Sequence, residues 1–304
     1  MAETAKQKWN GQSRGGTFGT WCFVMLVRHA GLGAAYALLA LVVPYFVVFA
    51  PRATRATWRF CRRIRRLGVW RSVVEIFGTY YAFGQCIIDK IAIGQGLSAQ
   101  YHYEIEGEEE IDGLFVDGDK GECVAAIFVG GHIGSWECGA PFFARFGKRM
   151  NVTIFNNEHE EIESVIERES QGRSFNLIPL KRDWLESIME IKGALDRGEF
   201  VCFMGDRYMT GSPTRVLDFM GHKARFTNGP FDVCSALRVP MAFFFVMRES
   251  GRRYRIFFKV LKNESGRRAD AKALQSAFVE QLERMVLRYP RQWFNFYDYF
   301  DIEN

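Results

Sequence analysis

The sequence predicts an α/β fold in which a mixed, largely parallel sheet is flanked by helices and preceded by an N-terminal membrane-associated helix. Three observations predict it. From Tyr101 onward, apolar runs of strand length alternate with segments of helical spacing, the pattern that builds a parallel sheet from strand-helix-strand units. The run from Cys123 to Val129 is β-branched, small or aromatic without polar interruption, which suits a strand buried on both faces. Finally, Ala30 to Pro51 contains no charged residue, and at ~1.5 Å per residue about twenty residues reach the ~30 Å of a bilayer's hydrocarbon core.

That uncharged run begins late and is followed by arginines instead of a small-residue cleavage site, so it does not read as a removable signal peptide. Pro44 and the glycines allow a kinked or re-entrant helix. A buried hairpin helix of a soluble domain is the alternative. From Thr4 to Val74 there is no Asp or Glu, while Lys6, Lys8, Arg14, Arg28, Arg52, Arg55, Arg59, Arg62, Arg63, Arg65, Arg66 and Arg71 are basic, so the formal net charge of +5 arises wholly in this quarter. Arginines 52 to 71 then act as an anchor toward anionic lipid headgroups on the cytoplasmic side. Nucleic acid is not expected as a partner, because a membrane-length run precedes the basic block and no reader motif follows it. The expected division is an anchor and basic juxtamembrane segment, 1–71, and a catalytic domain, 72–304. A length of 304 residues fits one α/β core with helical additions.

Element by element, residues 71 to 99 repeat Val74, Phe77, Tyr81, Ile87 and Ile91 at helical spacing, a helix packed on the core. Tyr101 to Ile105 alternates as a strand, and EGEEEIDG reads as a solvated acidic turn. Strands are expected at 151–155, 174–180 and 199–204, with a helix from Trp184 to Asp196 between the last two. The segment NNEHEEIESVIERES reads as a capped, charged helix with His159 facing solvent; no second His follows at zinc-ligand spacing. A helix over 229–237 leads to strands Val239 to Met247 and Tyr254 to Val260, joined at ESGRR. A long helix from Ala269 to Arg288 precedes seven aromatic residues between Tyr289 and Phe300, which read as core or membrane-edge packing.

The chemistry concentrates in CVAAIFVGGHIGSWECG. Gly130 and Gly131 permit a sharp turn that delivers His132 at the C-terminal end of a strand, where open α/β sheets place their sites. Glu137 follows five residues later; one continuous helix would set the two side chains about 140° apart. They converge only if His132 precedes the helix and Glu137 lies in its first turn. An imidazole held by a carboxylate is a candidate general base. A second apolar run ends in the turn Gly205-Asp206-Arg207 and faces the same crevice. Arg207 is the candidate for an anionic part of the substrate, with Asp206 fixing it, and Gly131 and Gly134 are assigned to substrate binding with them. The seven cysteines include no C-x-x-C pair, which suits a reduced compartment without disulfides or a metal site. The one G-x-S-x-G string, Gly11 to Gly15, follows no apolar strand run as a nucleophile elbow must, and a Walker A loop and a G-x-G-x-x-G fingerprint are absent, so serine hydrolases, P-loop NTPases and dinucleotide enzymes are disfavoured. No cofactor is expected.

His, four residues, then an acid resembles the signature of the lysophospholipid acyltransferase superfamily. GGHIGSWE, with Glu at the acidic position, is similar to its bacterial lipid A biosynthesis (lauroyl/myristoyl) acyltransferase branch. The blocks GDR, TNGPFDVCSALRVP and YPRQWFNFYDYF extend the resemblance over most of residues 20 to 300. It implies a glycerol-3-phosphate acyltransferase-like fold at the bacterial inner membrane. It also implies a transferase that moves an acyl chain from a thioester, on acyl carrier protein, to a hydroxyl or amine of a lipid A precursor-like acceptor. His132 would take the acceptor's proton and Glu137 would orient the ring. Backbone amides after Gly131 or a nearby arginine would stabilise the oxyanion. Lys181, Arg182, Arg207, Arg215, Arg248, Arg252, Arg253 and Arg255 are expected at strand ends or turns, where they would meet an acidic carrier. The ending FNFYDYF departs from the basic, tryptophan-rich tail of that branch and leaves an amino-lipid or polyene head group open as acceptor. Two other readings are a non-catalytic lipid-binding relative and a thioester or lipid hydrolase using the same His-Glu pair.

Overall fold

The computed structural model describes residues 17–115, 125–139, 141, 148–155, 175–180, 184–208, 211–261 and 269–300. The first described element is α1 (Thr17–Phe49), broken at Gly31, whose φ of 80° interrupts the helix, and carrying Pro44 inside its second part. Proline at the start of α2 (Pro51–Arg59) presets the helical φ. A π turn at Phe60–Ile64 leads to α3 (Val69–Gly94). Next come β1 (His102–Glu106), α4 (Glu108–Phe115), β2 (Ala126–Gly130), β3 (Met150–Phe155), β4 (Phe175–Leu180), α5 (Trp184–Asp196) and β5 (Phe200–Met204). The chain continues through β6 (Thr214–Phe219), β7 (His222–Thr227), α6 (Gly229–Leu237), β8 (Met241–Arg248), β9 (Arg253–Leu261) and α7 (Ala271–Arg288).

Seven strands form one sheet in the order β1-β9-β8-β2-β5-β3-β4. Only β8 and β9 pair antiparallel in it; every other neighbour is parallel. This is the mixed, largely parallel sheet that the alternating pattern predicts. Because side chains alternate across a strand, β2 serves two cores. Ala126 and Phe128 join Leu32 and Leu39 of α1 and Ile76 and Ile88 of α3, while Ile127 and Val129 join Phe231 of α6 and Phe278 and Leu282 of α7. A strand covered on both faces has no place for a polar residue, which accounts for the unbroken apolar run. Truncating the fully buried Phe128 to Ala would cost about 3–5 kcal/mol.

The first helix is part of this core. At Gly84 of α3 an added Cβ would stand 2.3 Å from Leu39 Cδ1, so the two helices approach as closely as a glycine allows. Trp21–Phe49 is, among the described residues, the one helix long and apolar enough to cross a membrane. Its far end leaves Leu41, Tyr45, Val48 and Phe49 exposed.

Two local expectations change. EGEEEIDG is not a free turn, since Glu108 to Glu110 form the first turn of α4, where negative charge suits the helix dipole. Ile111 is fully buried, and Glu110 Oε2 accepts the Val260 N–H at 2.9 Å. Between Arg207 and α6 the chain makes an unanticipated antiparallel hairpin, β6 with β7. Its turn places Met220 and Gly221 at φ 53° and 75°, the left-handed pair that a tight hairpin requires. Phe219 and Phe226 of this hairpin receive Trp293, Tyr299 and Phe300 of the aromatic tail, with ring centroids 5.6 to 5.9 Å apart. The tail is therefore core packing, as expected. The charged helix with His159 lies outside the described residues.

Candidate active site

The site follows from the register of two neighbouring parallel strands. Gly130 of β2 is paired with Met204 of β5, and the ladder runs one step further, with Gly205 N–H donating to Gly130 O at 2.8 Å. His132 and Asp206 each stand two residues beyond that pair, so they emerge side by side at the C-terminal edge of the sheet. His132 Nδ1 is 2.8 Å from Asp206 Oδ1, and the His132 backbone N–H donates to Asp206 Oδ2 at 3.0 Å. The Asp206 side chain is 2 % exposed and that of His132 27 %. Gly131 makes the approach possible, since a Cβ there would come 3.4 Å from Asp206 Cγ and 3.3 Å from Leu282 Cδ1.

Burial alone would raise the pKa of Asp206. The imidazole of His132 and its hydrogen bonds, with the guanidinium of Arg207, outweigh burial and hold this carboxyl below its usual range. An ionised Asp206 accepts from Nδ1–H, so the assigned tautomer places the basic lone pair on Nε2.

Glu137 was expected to hold the ring, and the structure gives that place to Asp206. After the bend at His132 the chain does not enter a long helix but forms one three-ten turn, Trp136–Gly139. Gly139 packs against Val246, where a Cβ would be 2.8 Å from Val246 Cγ2, and Cys138 Sγ reaches Cys86 O of α3 at 3.9 Å. The turn is thereby held toward α3, and Glu137 Oε1 meets Lys90 Nζ of that helix at 2.6 Å.

Gly134 has φ 65°, and an added Cβ would lie 2.1 Å from Val246 O. Its N–H donates to Gln292 O at 2.9 Å and that of Ser135 to Val246 O at 2.8 Å. With the His132 amide on Asp206, these amides serve the loop rather than an oxyanion. Arg207 is 8 % exposed, donates through Nη2 to Phe294 O at 3.0 Å, and lies 5.7 Å from the Tyr297 ring centroid. The structure thus brings together His132, Asp206, Gly131 and Arg207, and gives Gly134 and Glu137 their own contacts.

Sequence reasoning missed the part played by the Pro-Arg-Gln-Trp-Phe segment. Phe294 N–H donates to His132 O at 3.1 Å, and Ile133 bridges to Trp293. The Gln292 side chain accepts Arg248 N–H at 2.9 Å and donates to Arg248 O at 2.7 Å. Tyr299 OH donates to Asp206 O at 2.7 Å. The block YPRQWFNFYDYF marks the segment only as part of the family resemblance, and nothing local in it announces this clasp.

Of the residues expected to greet a carrier, Lys181 and Arg182 lie outside the described residues. Arg248 binds Asp89, Arg215 binds Asp232 and Gln275, and Arg255 binds Glu104 and Glu249. Among the described residues there is no group of His, Cys, Asp and Glu able to hold a metal ion.

No curated protein matches the chain. The model of the family described as bacterial lipid A biosynthesis acyltransferase matches residues 83–300, a span that holds the His132 loop, the Gly205-Asp206-Arg207 turn and the Gln292 to Phe294 clasp, and the chain belongs to that family.

Proposed function

We propose that the protein transfers a fatty acyl chain from a thioester to a hydroxyl or amine of a lipid acceptor, with His132 as general base and Asp206 as the group that holds it. The carrying observation is the double contact between these two residues at the sheet edge. His132 Nε2 removes the acceptor's proton as its oxygen or nitrogen attacks the thioester carbon, and the thiolate that departs takes that proton from the imidazolium. Ionised Asp206 favours the imidazolium between these steps. Glu137, the acid of the His-x4-Glu spacing, sits in the same loop, and its pair with Lys90 keeps a second carboxylate at the site's border. Arg207 acts through Asp206 and the tail.

The protein works at a membrane, with α1 as the apolar element and the exposed Arg52, Arg55, Arg59, Arg62, Arg63, Arg66 and Arg71 facing anionic headgroups on the cytoplasmic side. The donor is carried on acyl carrier protein. Family membership and the positive N-terminal quarter support this, because an acidic carrier associates faster with a positive surface. Turnover at limiting donor should then fall with added salt as the Debye length shrinks below ~10 Å, and equal, salt-indifferent use of coenzyme A thioesters would reject the carrier.

The reaction is tested with the purified full chain in detergent, by following thiol release from acyl carrier thioester and acylated lipid by mass spectrometry. His132→Ala should abolish both while the circular dichroism stays unchanged. Near-normal turnover in that variant removes the mechanism, and free fatty acid without acylated lipid would identify a hydrolase.

A further inference from the structure

Outside the site, one buried charge cluster has no part in the chemistry described so far. Asp89 of α3 is fully buried. Its Oδ1 accepts from Tyr36 OH of α1 and from Tyr101 OH at 3.0 Å. Its Oδ2 accepts from Tyr254 OH of β9 at 2.6 Å and from Arg248 Nε at 2.7 Å. Arg248 also reaches Tyr36 OH through Nη2 at 3.4 Å and lies 5.4 Å from that ring's centroid. Four donors on one carboxylate satisfy a buried charge that would otherwise be very costly.

The cluster's position is informative. Arg248 is the last residue of β8, and both its backbone groups are clasped by the Gln292 side chain. Gln292 O in turn accepts Gly134 N–H, and Phe294 two residues on holds His132 O. An unbroken series of bonds therefore leads from Tyr36 on the apolar helix, through Asp89, Arg248 and Gln292, to the backbone of the catalytic loop.

We propose that Tyr36, Asp89 and Arg248 are positioning residues for the acyl transfer, so that the packing of α1 sets the placement of His132. The inference rests on the function proposed above. None of the three touches the reacting atoms. They fix the end of β8 from which the tail and the histidine loop are hung, and a misplacement near 1 Å at a catalytic group can cost ~10²-fold in rate.

The test uses the full chain in vesicles of phosphatidylethanolamine and phosphatidylglycerol, with acyl carrier thioester as donor and a lipid A precursor disaccharide as acceptor. The variants are Tyr36→Phe, Asp89→Asn, Gln292→Ala and the double Tyr36→Phe/Gln292→Ala. Expected is a fall in kcat of about 10- to 10²-fold for each, with little change in KM for either substrate and with folded protein retained by circular dichroism. The double variant should be no slower than the worse single one, since both act on one loop. Unchanged kcat in Tyr36→Phe and Asp89→Asn overturns the proposal. So do losses that scale with unfolded protein, or effects that multiply independently in the double variant. A wild-type chain inactive with every thioester and acceptor would instead reject the functional reading beneath it.

Discussion

Asp206 meets His132 twice, one oxygen 2.8 Å from Nδ1 and the other accepting the backbone N–H at 3.0 Å. An asparagine can keep the backbone bond but cannot stabilise an imidazolium as a carboxylate does. Asp206→Asn is expected to lower kcat by about 10²–10⁴-fold, with a smaller loss for Glu137→Gln, whose partner is Lys90. The reverse order of the two losses, measured on folded protein, would return the holding role to Glu137.

Gly134 cannot be replaced by alanine without moving its surroundings. Its φ of 65° disfavours any side chain, and the new methyl would stand 2.1 Å from Val246 O. Gly134→Ala should lose more than about 2 kcal/mol of stability, read as a lowered midpoint in urea. Alanine at Gly68, where a Cβ meets nothing within 4 Å, provides the comparison and should shift that midpoint little.

Glu75 of α3 receives Arg65 Nη1 at 2.6 Å on one oxygen and Arg291 Nε and Nη2 at 3.1 and 2.9 Å on the other. Burial pulls its pKa up, but the bonds from Arg291 and Arg65 outweigh it and hold the carboxyl below the usual range. A depressed folded-state pKa stabilises above the unfolded value of ~4.3 and is lost as pH falls through the lower folded value. Glu75→Gln should therefore be less stable than wild type near neutrality, by about 1–2 kcal/mol, and the gap should close in acid. A gap that is constant from neutrality down through the folded-state pKa would refute the assignment.

Removal of residues 1–71 would bare the sites on α3 that Leu39 and Tyr36 cover. The truncated chain is expected to sediment as aggregate, not to appear as a soluble transferase. A monodisperse, active 72–304 fragment would count against the packing of α1 as part of the core.

Much of this arrangement is legible in the residues. The apolar run ending at Gly130 marks a doubly covered strand, and most later strands and helices fall within a few residues of their expected limits. Asp206 as the partner of His132 is not legible, because it depends on β5 lying beside β2, and strand order is set by crossovers rather than by local pattern. The β6–β7 hairpin is concealed by a turn whose first left-handed residue is Met220, where Asn or Gly would have signalled it. Gln292 looks like an ordinary polar residue until its two bonds to Arg248 are seen.

The clasp of the histidine loop by Gln292 and Phe294 has a consequence for synthesis. Gln292 lies 160 positions after His132, so at ~5–20 residues per second a ribosome adds it some 8–32 s later. By the end of that interval the nascent chain has all the strands of the sheet but not yet the tail that closes over the loop. The bonds from the tail to the loop are therefore the last part of the site to form, long after α1 has been made. A stop codon within α7 would leave a polypeptide with every strand of the sheet but with a histidine loop lacking the two bonds that Gln292 and Phe294 supply.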